Sequence, residues 1–195
     1  MMNEVKILLK TLLLSGYKSH ELGIWDTKNP GIFIIKTAIE KQLRTLVEDG
    51  LEWVIIGGQP GVELWAAEVV LELKNEFSEL KLGVLMPFLE QEKNWKEERK
   101  EHYQMIIDQA DFVDVVSKKP YIAPWQFKAR DEFSLDHTDA LLLVYDEEKE
   151  GSPKFLKEAA ESRLESSNYS IMLINMYDLQ TIAEEIQEKE RSDWL

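Results

Sequence analysis

Cysteine is absent from the 195-residue chain, which excludes disulfides, zinc–thiolate sites and thiol nucleophiles. Histidine is nearly as scarce. His20, His102 and His137 stand far apart in the chain, so no metal site is expected. No stretch approaches the ~18 continuous apolar residues of a membrane span. Met1 to Leu14 carries Lys6 and Lys10 inside its apolar run and has no small-residue cleavage site, so it does not read as a signal peptide. Positive charge is in deficit, with 23 basic against 37 acidic side chains and a formal net charge of −14. Such a field repels polyanions, so nucleic acid is not an expected partner unless a local basic surface overrides it. What remains is a cytoplasmic globular protein, and a hydrophobic fraction of 44% with six tryptophans agrees with that. The length fits one domain, residues 1–195, with a sizeable core.

The most informative stretch runs from Trp53 to Glu68. Trp53-Val54-Ile55-Ile56 reads as a strand buried on both faces. Gly57-Gly58-Gln59-Pro60-Gly61 then breaks the pattern, and Val62, Trp65, Ala66, Val69, Val70 and Leu73 follow at helical spacing. A strand, a glycine-rich turn and a helix make a cradle for an anionic ligand, because glycine lets the backbone approach and the helix N-terminus offers free N–H groups. Glu63, in the first helical turn, is either a stabilising cap or a polar hand for a ligand hydroxyl or base. A tight strand–helix corner with a capping glutamate explains the same residues.

Apolar runs and helical stretches alternate along the rest of the chain. A first strand is expected within Val5–Ser15, ending at Gly16, followed by a loop from Tyr17 to Gly31. A helix spans about Ile32 to Glu48, with Gly50 placed to cap it. Lys81–Met86 is a third strand, stopped by Pro87. Gln91–Ala110 is loop and then helix, Phe112–Val116 a fourth strand, and Trp125–His137 a helix exposing Lys128 and Arg130. Ala140–Tyr145 is a fifth strand and Lys154–Glu165 a helix. Ser170–Asn175 is a sixth strand, and Asp178 caps a last helix running to about Glu190. Strands separated by helices imply an α/β fold, a parallel sheet with helices on both faces.

Ligands of such sheets bind beyond the carboxyl ends of the strands, which selects the residues to weigh. At Ser15-Gly16-Tyr17-Lys18, a hydroxyl and backbone N–H groups suit phosphate and Tyr17 suits stacking on a base; an ordinary strand-ending turn is the alternative. Phe88 and Trp95 are placed to sandwich a planar ring while Gln91 or Asn94 reads its edge, or else they anchor the loop to the core. At Gly151-Ser152-Pro153-Lys154, capping explains Ser152 and Pro153, leaving Gly151 and Lys154 as hints of phosphate contact. Lys93, Lys96, Arg99 and Lys100 alternate with glutamates, the pattern of a solvated helix face.

Taken together, Ser15-Gly16-Tyr17-Lys18 with Glu21-Leu22-Gly23-Ile24, Gly58-Gln59 with Gly61-Val62-Glu63-Leu64-Trp65, Pro87-Phe88 with Gln91-Glu92-Lys93-Asn94-Trp95, and Asp146 with Glu150-Gly151-Ser152-Pro153-Lys154 resemble the YpsA family of Firmicutes, part of the SLOG superfamily. The resemblance covers the chain from about Lys10 onward and leaves Met1 to Leu9 as an N-terminal extension. It implies a Rossmann-like three-layer sandwich and a nucleotide-derived ligand at the glycine loops. Relatives in the superfamily include DprA, which binds single-stranded DNA, and the cytokinin-activating phosphoribohydrolases. The Pro-Gly-Gly-x-Gly-Thr-x-x-Glu signature of the latter is missing from this chain. The family also carries an association with cell division and stress responses.

Three functions follow as expectations. The first is a cytoplasmic binding or sensor protein for a nucleotide or ADP-ribose-like ligand, with no cofactor required, acting through a protein partner or homo-oligomer. Its pyrophosphate would rest on Gly57–Gly61 and Ser15–Gly16, with Glu63 on a ribose hydroxyl and Tyr17, Phe88 or Trp95 on the base. The second is a nucleotide N-glycosidase with Glu63 as the best candidate catalytic group and Glu21, Asp146 or Glu150 as its second carboxylate. The third is DprA-like single-stranded nucleic-acid binding through Lys118, Lys119, Lys128 and Arg130, against which the net charge stands.

Overall fold

The computed structural model describes residues 8–164 and 168–192. Strands and helices alternate throughout: β1 (Thr11–Gly16), α1 (Pro30–Glu48), β2 (Trp53–Ile56), α2 (Val62–Leu73), β3 (Lys81–Phe88), α3 (Glu97–Gln109), β4 (Phe112–Ser117), α4 (Trp125–Asp136), β5 (Ala140–Val144), α5 (Pro153–Leu164), β6 (Ser170–Ile174) and α6 (Met176–Ser192). Every strand pairing is parallel, in the order β4-β3-β2-β1-β5-β6. Parallel neighbours require crossovers, and the helices supply them on both faces. One layer holds α1 against α2 and α6, with α3 against α2; the other holds α4 and α5 against each other. The α/β three-layer architecture expected from the alternation is the one the chain adopts.

The sheet centre explains which strands read as unbroken apolar runs. Leu12–Leu14 of β1 and the whole of β5 are buried between the two helical layers. The edges differ, since β4 starts with exposed Phe112, Val113 and Asp114 and β6 is mostly half-buried. From β1 the chain steps outward to β4, then returns through α4 to place β5 on the other side of β1. Connections leaving β1 and β5 therefore go to opposite faces, and a crevice opens at their carboxyl ends.

Several boundaries differ from the sequence reading. The first strand begins at Thr11; residues 1–7, most of the anticipated extension, lie outside the described residues, as does Glu165 at the expected end of α5. β3 continues through Pro87 to Phe88. Its neighbour β2 ends opposite Val84, so β3 is an edge on that side where proline is tolerated. Asp178 is not the cap of α6. Asn175 is, its Oδ1 accepting from Asp178 N–H at 2.9 Å while Asp178 Oδ2 accepts from Asn175 N–H at 2.8 Å, a reciprocal capping pair. Gly50 ends α1 as expected, with a φ of 108° just beyond the C-cap. Among the described residues no helix is long and apolar enough to cross a membrane.

Candidate functional site

The turn after β1 and the turn after β2 are laced together by the backbone. Val62 N–H donates to Tyr17 O at 3.1 Å and Ser19 N–H to Pro60 O at 3.3 Å. Gly61 caps α2 with a φ of 114°, and a β-carbon there would stand 2.5 Å from Ser19 N and 2.7 Å from Tyr17 O. Only glycine fits so close an approach at that dihedral.

Between these turns sits a carboxylate. Glu63, 4% exposed in the first turn of α2, accepts from the Ser15 hydroxyl at 2.7 Å and from the Gln59 backbone N–H at 2.8 Å. The anionic group held at this helix N-terminus is thus the protein's own. Behind it the buried Gln91 donates to Gly57 O at 3.1 Å and accepts from Gln59 Nε2 at 2.5 Å, fixing the glycine turn.

Across from Glu63, α4 contributes a guanidinium. Arg130 is 8% exposed, donates through Nε to Asp131 Oδ1 at 2.8 Å, and holds Nη1 3.9 Å from Glu63 Oε1. Burial works against its charge, but Asp131 and Glu63 outweigh burial and raise its pKa. The Asp131 carboxyl is itself pushed up by burial and by Glu63, against the pull of Arg130. A β-carbon on Gly57 would overlap Arg130 Nη1 and stand 2.8 Å from Cζ, so the bare glycine backbone is what lets the guanidinium lie there.

These groups form the floor of a cleft of about 720 Å³ between α4 and α5, at the carboxyl ends of β1 and β2. Helical spacing accounts for its walls. Phe127, Lys128 and Asp131 share one face of α4 with Pro124 just before it, and Phe155, Leu156 and Ala159 share one face of α5 with Ser152 just before it. Trp125 is 52% exposed and Phe155 71% exposed, so their rings are open to a planar partner. Lys18 lies over the Phe127 ring, its Nζ 5.5 Å from the centroid. The cleft thus combines aromatic surface, two lysines and a buried Arg130 flanked by carboxylates.

Of the residues singled out in the sequence, Ser15, Gly16, Lys18, Gln59, Glu63, Lys128, Arg130, Ser152 and Pro153 line this cleft. Gly57 lies under Arg130, and Gly58, with a φ of 77°, packs against Gln91 and Tyr103 behind the turn. Tyr17 is not on the cleft. Its ring is 1% exposed, tilted against Tyr145, and its hydroxyl accepts from Asp146 N–H at 3.0 Å while reaching the carbonyls of Asp146 and Lys149. Phe88 and Trp95 do not face one another: Phe88 packs on Tyr121 and Phe127, Trp95 edge-on against Tyr103 at 5.3 Å. Asn94 is exposed away from the cleft. Gly151 packs on Tyr17 and Glu21, and Lys154 pairs with Glu150 at 2.9 Å.

Arg130 requires a correction, because the sequence reading placed it on an exposed face. The buried stripe of α4 is polar, Gln126, Arg130 and Ser134 four residues apart, while Trp125 and Phe133 are exposed. Gln126 bonds Ser117 Oγ at 2.9 Å and Pro120 O at 3.0 Å, and Ser134 Oγ bonds Arg130 O at 2.8 Å, so the side chains of Gln126 and Ser134 are satisfied within the protein. That four-residue polar repeat beside exposed aromatics was the signal available. Asp131, Trp125, Phe127 and Phe155 were missed with it as cleft residues.

The sequence profile described as the YspA SLOG family matches residues 12–179. The chain belongs to that family. It is 59% identical over 182 residues to a UPF0398 protein of Lysinibacillus sphaericus, covering 93% of this chain and 100% of that one. A UPF0398 protein of Brevibacillus brevis is 53% identical over 186 residues, covering 95% of this chain and 99% of its own. Among solved structures, DNA processing protein A from Helicobacter pylori, described for its single-stranded DNA binding mode, aligns over 91% of this chain and 81% of its own with a TM-score of 0.47 and 16% identity.

Proposed function

We propose that the protein binds a nucleotide-derived small molecule in the α4–α5 cleft and acts as a binding or sensor protein. The observation that supports this most directly is the cleft itself, about 720 Å³ at the point where strand order reverses. That volume is in the range of small-ligand sites, which pair apolar walls with a few convergent polar groups. Trp125 and Phe155 offer faces for a base, Lys18 and Lys128 positive charge for a phosphate, and Glu63 an acceptor for a hydroxyl.

A thermal-shift panel of nucleoside mono- and diphosphates, dinucleotides, ADP-ribose and a single-stranded oligonucleotide tests the reading. A ligand at about 100 times its Kd stabilises by about 2.7 kcal/mol, a rise of roughly 5–10 °C for a chain of this size. The expected result is a small-molecule hit that is lost in Phe155→Ala and Lys128→Glu. No shift with any small molecule overturns the proposal, and a salt-sensitive shift with the oligonucleotide alone replaces it with nucleic-acid binding.

A hydrolytic variant draws on Asp131, which places a second carboxylate at the guanidinium that Glu63 also faces, the pairing that glycoside hydrolysis usually employs. Release of free base from the same panel supports it, and none above blank removes it.

A further inference from the structure

The Arg130 guanidinium has donors that the protein leaves unused. Among the described residues its one hydrogen bond runs from Nε to Asp131 at 2.8 Å, and Glu63 Oε1 at 3.9 Å is beyond hydrogen-bonding distance of Nη1. Yet the side chain is nine-tenths buried. A buried guanidinium normally spends all its N–H groups, because each unmet donor carries a desolvation penalty. No fully enclosed side-chain nitrogen or oxygen among the described residues lacks a partner, so the Nη donors open onto the cleft that Arg130 lines.

The surroundings specify what those donors await. Glu63 and Asp131 flank the guanidinium, giving two acids to one base at the floor. A phosphate there would face both carboxylates at short range and low dielectric, where like charges repel strongly. A neutral group that accepts from the guanidinium and donates to a carboxylate suits the floor better. Each hydroxyl of a vicinal diol does both. Glu63 Oε1 and Oε2 each take one bond from the protein, leaving lone pairs for such a donor. The positive charge for a ligand's anionic end stands elsewhere in the cleft, at Lys18 and Lys128.

We infer that Arg130, bracketed by Glu63 and Asp131, is a binding subsite for a neutral vicinal diol of the ribose type. This rests on the nucleotide reading of the same cleft and sharpens it. The ligand is a ribonucleotide whose sugar lies on the floor and whose phosphate is directed away from the glycine turn. Burial that raises the Asp131 pKa fits a floor poor in capacity for another negative charge.

Two arms separate the subsite from the nucleotide reading. In the first, calorimetry on the intact protein compares adenosine 5′-monophosphate with its 2′,3′-dideoxy counterpart. Hydrogen bonds to charged groups predict about 10- to 100-fold tighter binding of the ribonucleotide. In the second, side-chain ¹⁵N resonances of arginine are followed as methyl β-D-ribofuranoside or its 2,3-dideoxy analogue is added. The Arg130 signal, assigned with Arg130→Lys, is expected to move with the diol alone. Circular dichroism checks that Arg130→Lys is folded, and the wild-type comparison stands if it is not. Equal affinity for the two nucleotides with an unmoved Arg130 signal overturns the diol subsite and leaves the nucleotide reading intact. An Arg130 signal that moves with the ribofuranoside while no nucleotide binds keeps the subsite and overturns the nucleotide reading. An Arg130 signal that ignores both sugars, with no nucleotide bound, overturns both.

Discussion

Arg130 and Gly57 share one space: the guanidinium lies where a β-carbon on Gly57 would have to be. The overlap involves the far end of a long side chain, so Gly57→Ala can be accommodated by displacing Arg130 toward the cleft. The variant is expected to fold and to lose about 1–3 kcal/mol, the usual span for disturbing a buried contact. Urea denaturation reads the stability. Ligand binding should suffer more than the fold, because the floor of the cleft is what moves. A variant that binds like the parent would show that the position of Arg130 does not matter.

Gly61→Ala differs in kind. Its φ is 114° and the atoms a β-carbon would meet are backbone, Ser19 N at 2.5 Å and Tyr17 O at 2.7 Å. Neither can swing aside without parting the turns after β1 and β2. The expected loss is about 3 kcal/mol or more, from dihedral strain plus the clash, and proteolysis should cut first near residues 17–19. A stability within error of wild type would contradict the described turn.

How much of this was legible follows from what each signal measures. Apolar runs such as Ala140–Val144 found the central strands because both faces of those strands are covered. Glycines marked the turn after β2 because chain and side chains pack against Gly58 and Gly61 closely. Arg130 was misplaced because hydropathy equates polar with exposed, whereas α4 buries Gln126, Arg130 and Ser134 and exposes Trp125 and Phe133. The extension of β3 past Pro87 depends on a neighbouring strand that residue spacing does not reveal, whereas Asn175 and Asp178 stand at the three-residue spacing of a capping pair, of which the reading took only the second member.

Tyr17→Phe separates architecture from recognition. The hydroxyl ties the turn after β1 to the loop after β5, accepting from Asp146 N–H at 3.0 Å and lying 3.1 Å from Asp146 O. Removing it leaves those groups short of a partner, a loss of about 1–3 kcal/mol. The ring faces Tyr145 rather than the cleft, so affinity for any cleft ligand should stay within a factor of two or so of wild type, a change below ~0.5 kcal/mol. Calorimetry showing a large affinity loss at unchanged stability would place Tyr17 on the ligand instead.

Glu21 makes the mouth of α5 pH-sensitive. Its carboxylate accepts from Lys18 N–H at 2.7 Å, Ser152 N–H at 2.6 Å and the Ser152 hydroxyl at 2.8 Å, joining the loop after β1 to the start of α5. Burial alone would raise its pKa, but these hydrogen bonds and the Lys18 charge outweigh burial and lower it from 4.5. A carboxylate whose pKa falls on folding adds stability that is fully present above its unfolded value and fades as pH drops through the folded one. Wild type should therefore lose stability on acidification below about pH 4.5, as Glu68 and Asp111, lowered in the same direction, also require. Glu21→Gln isolates one share. At pH 7 it should be about 1 kcal/mol less stable, a figure kept small by solvent screening. The gap to wild type should narrow as pH falls from about 5 to about 3, through the unperturbed value of 4.5 and toward the lowered folded one. Curves that stay parallel across that range in thermal denaturation would show that the Glu21 charge adds nothing to holding α5 in place.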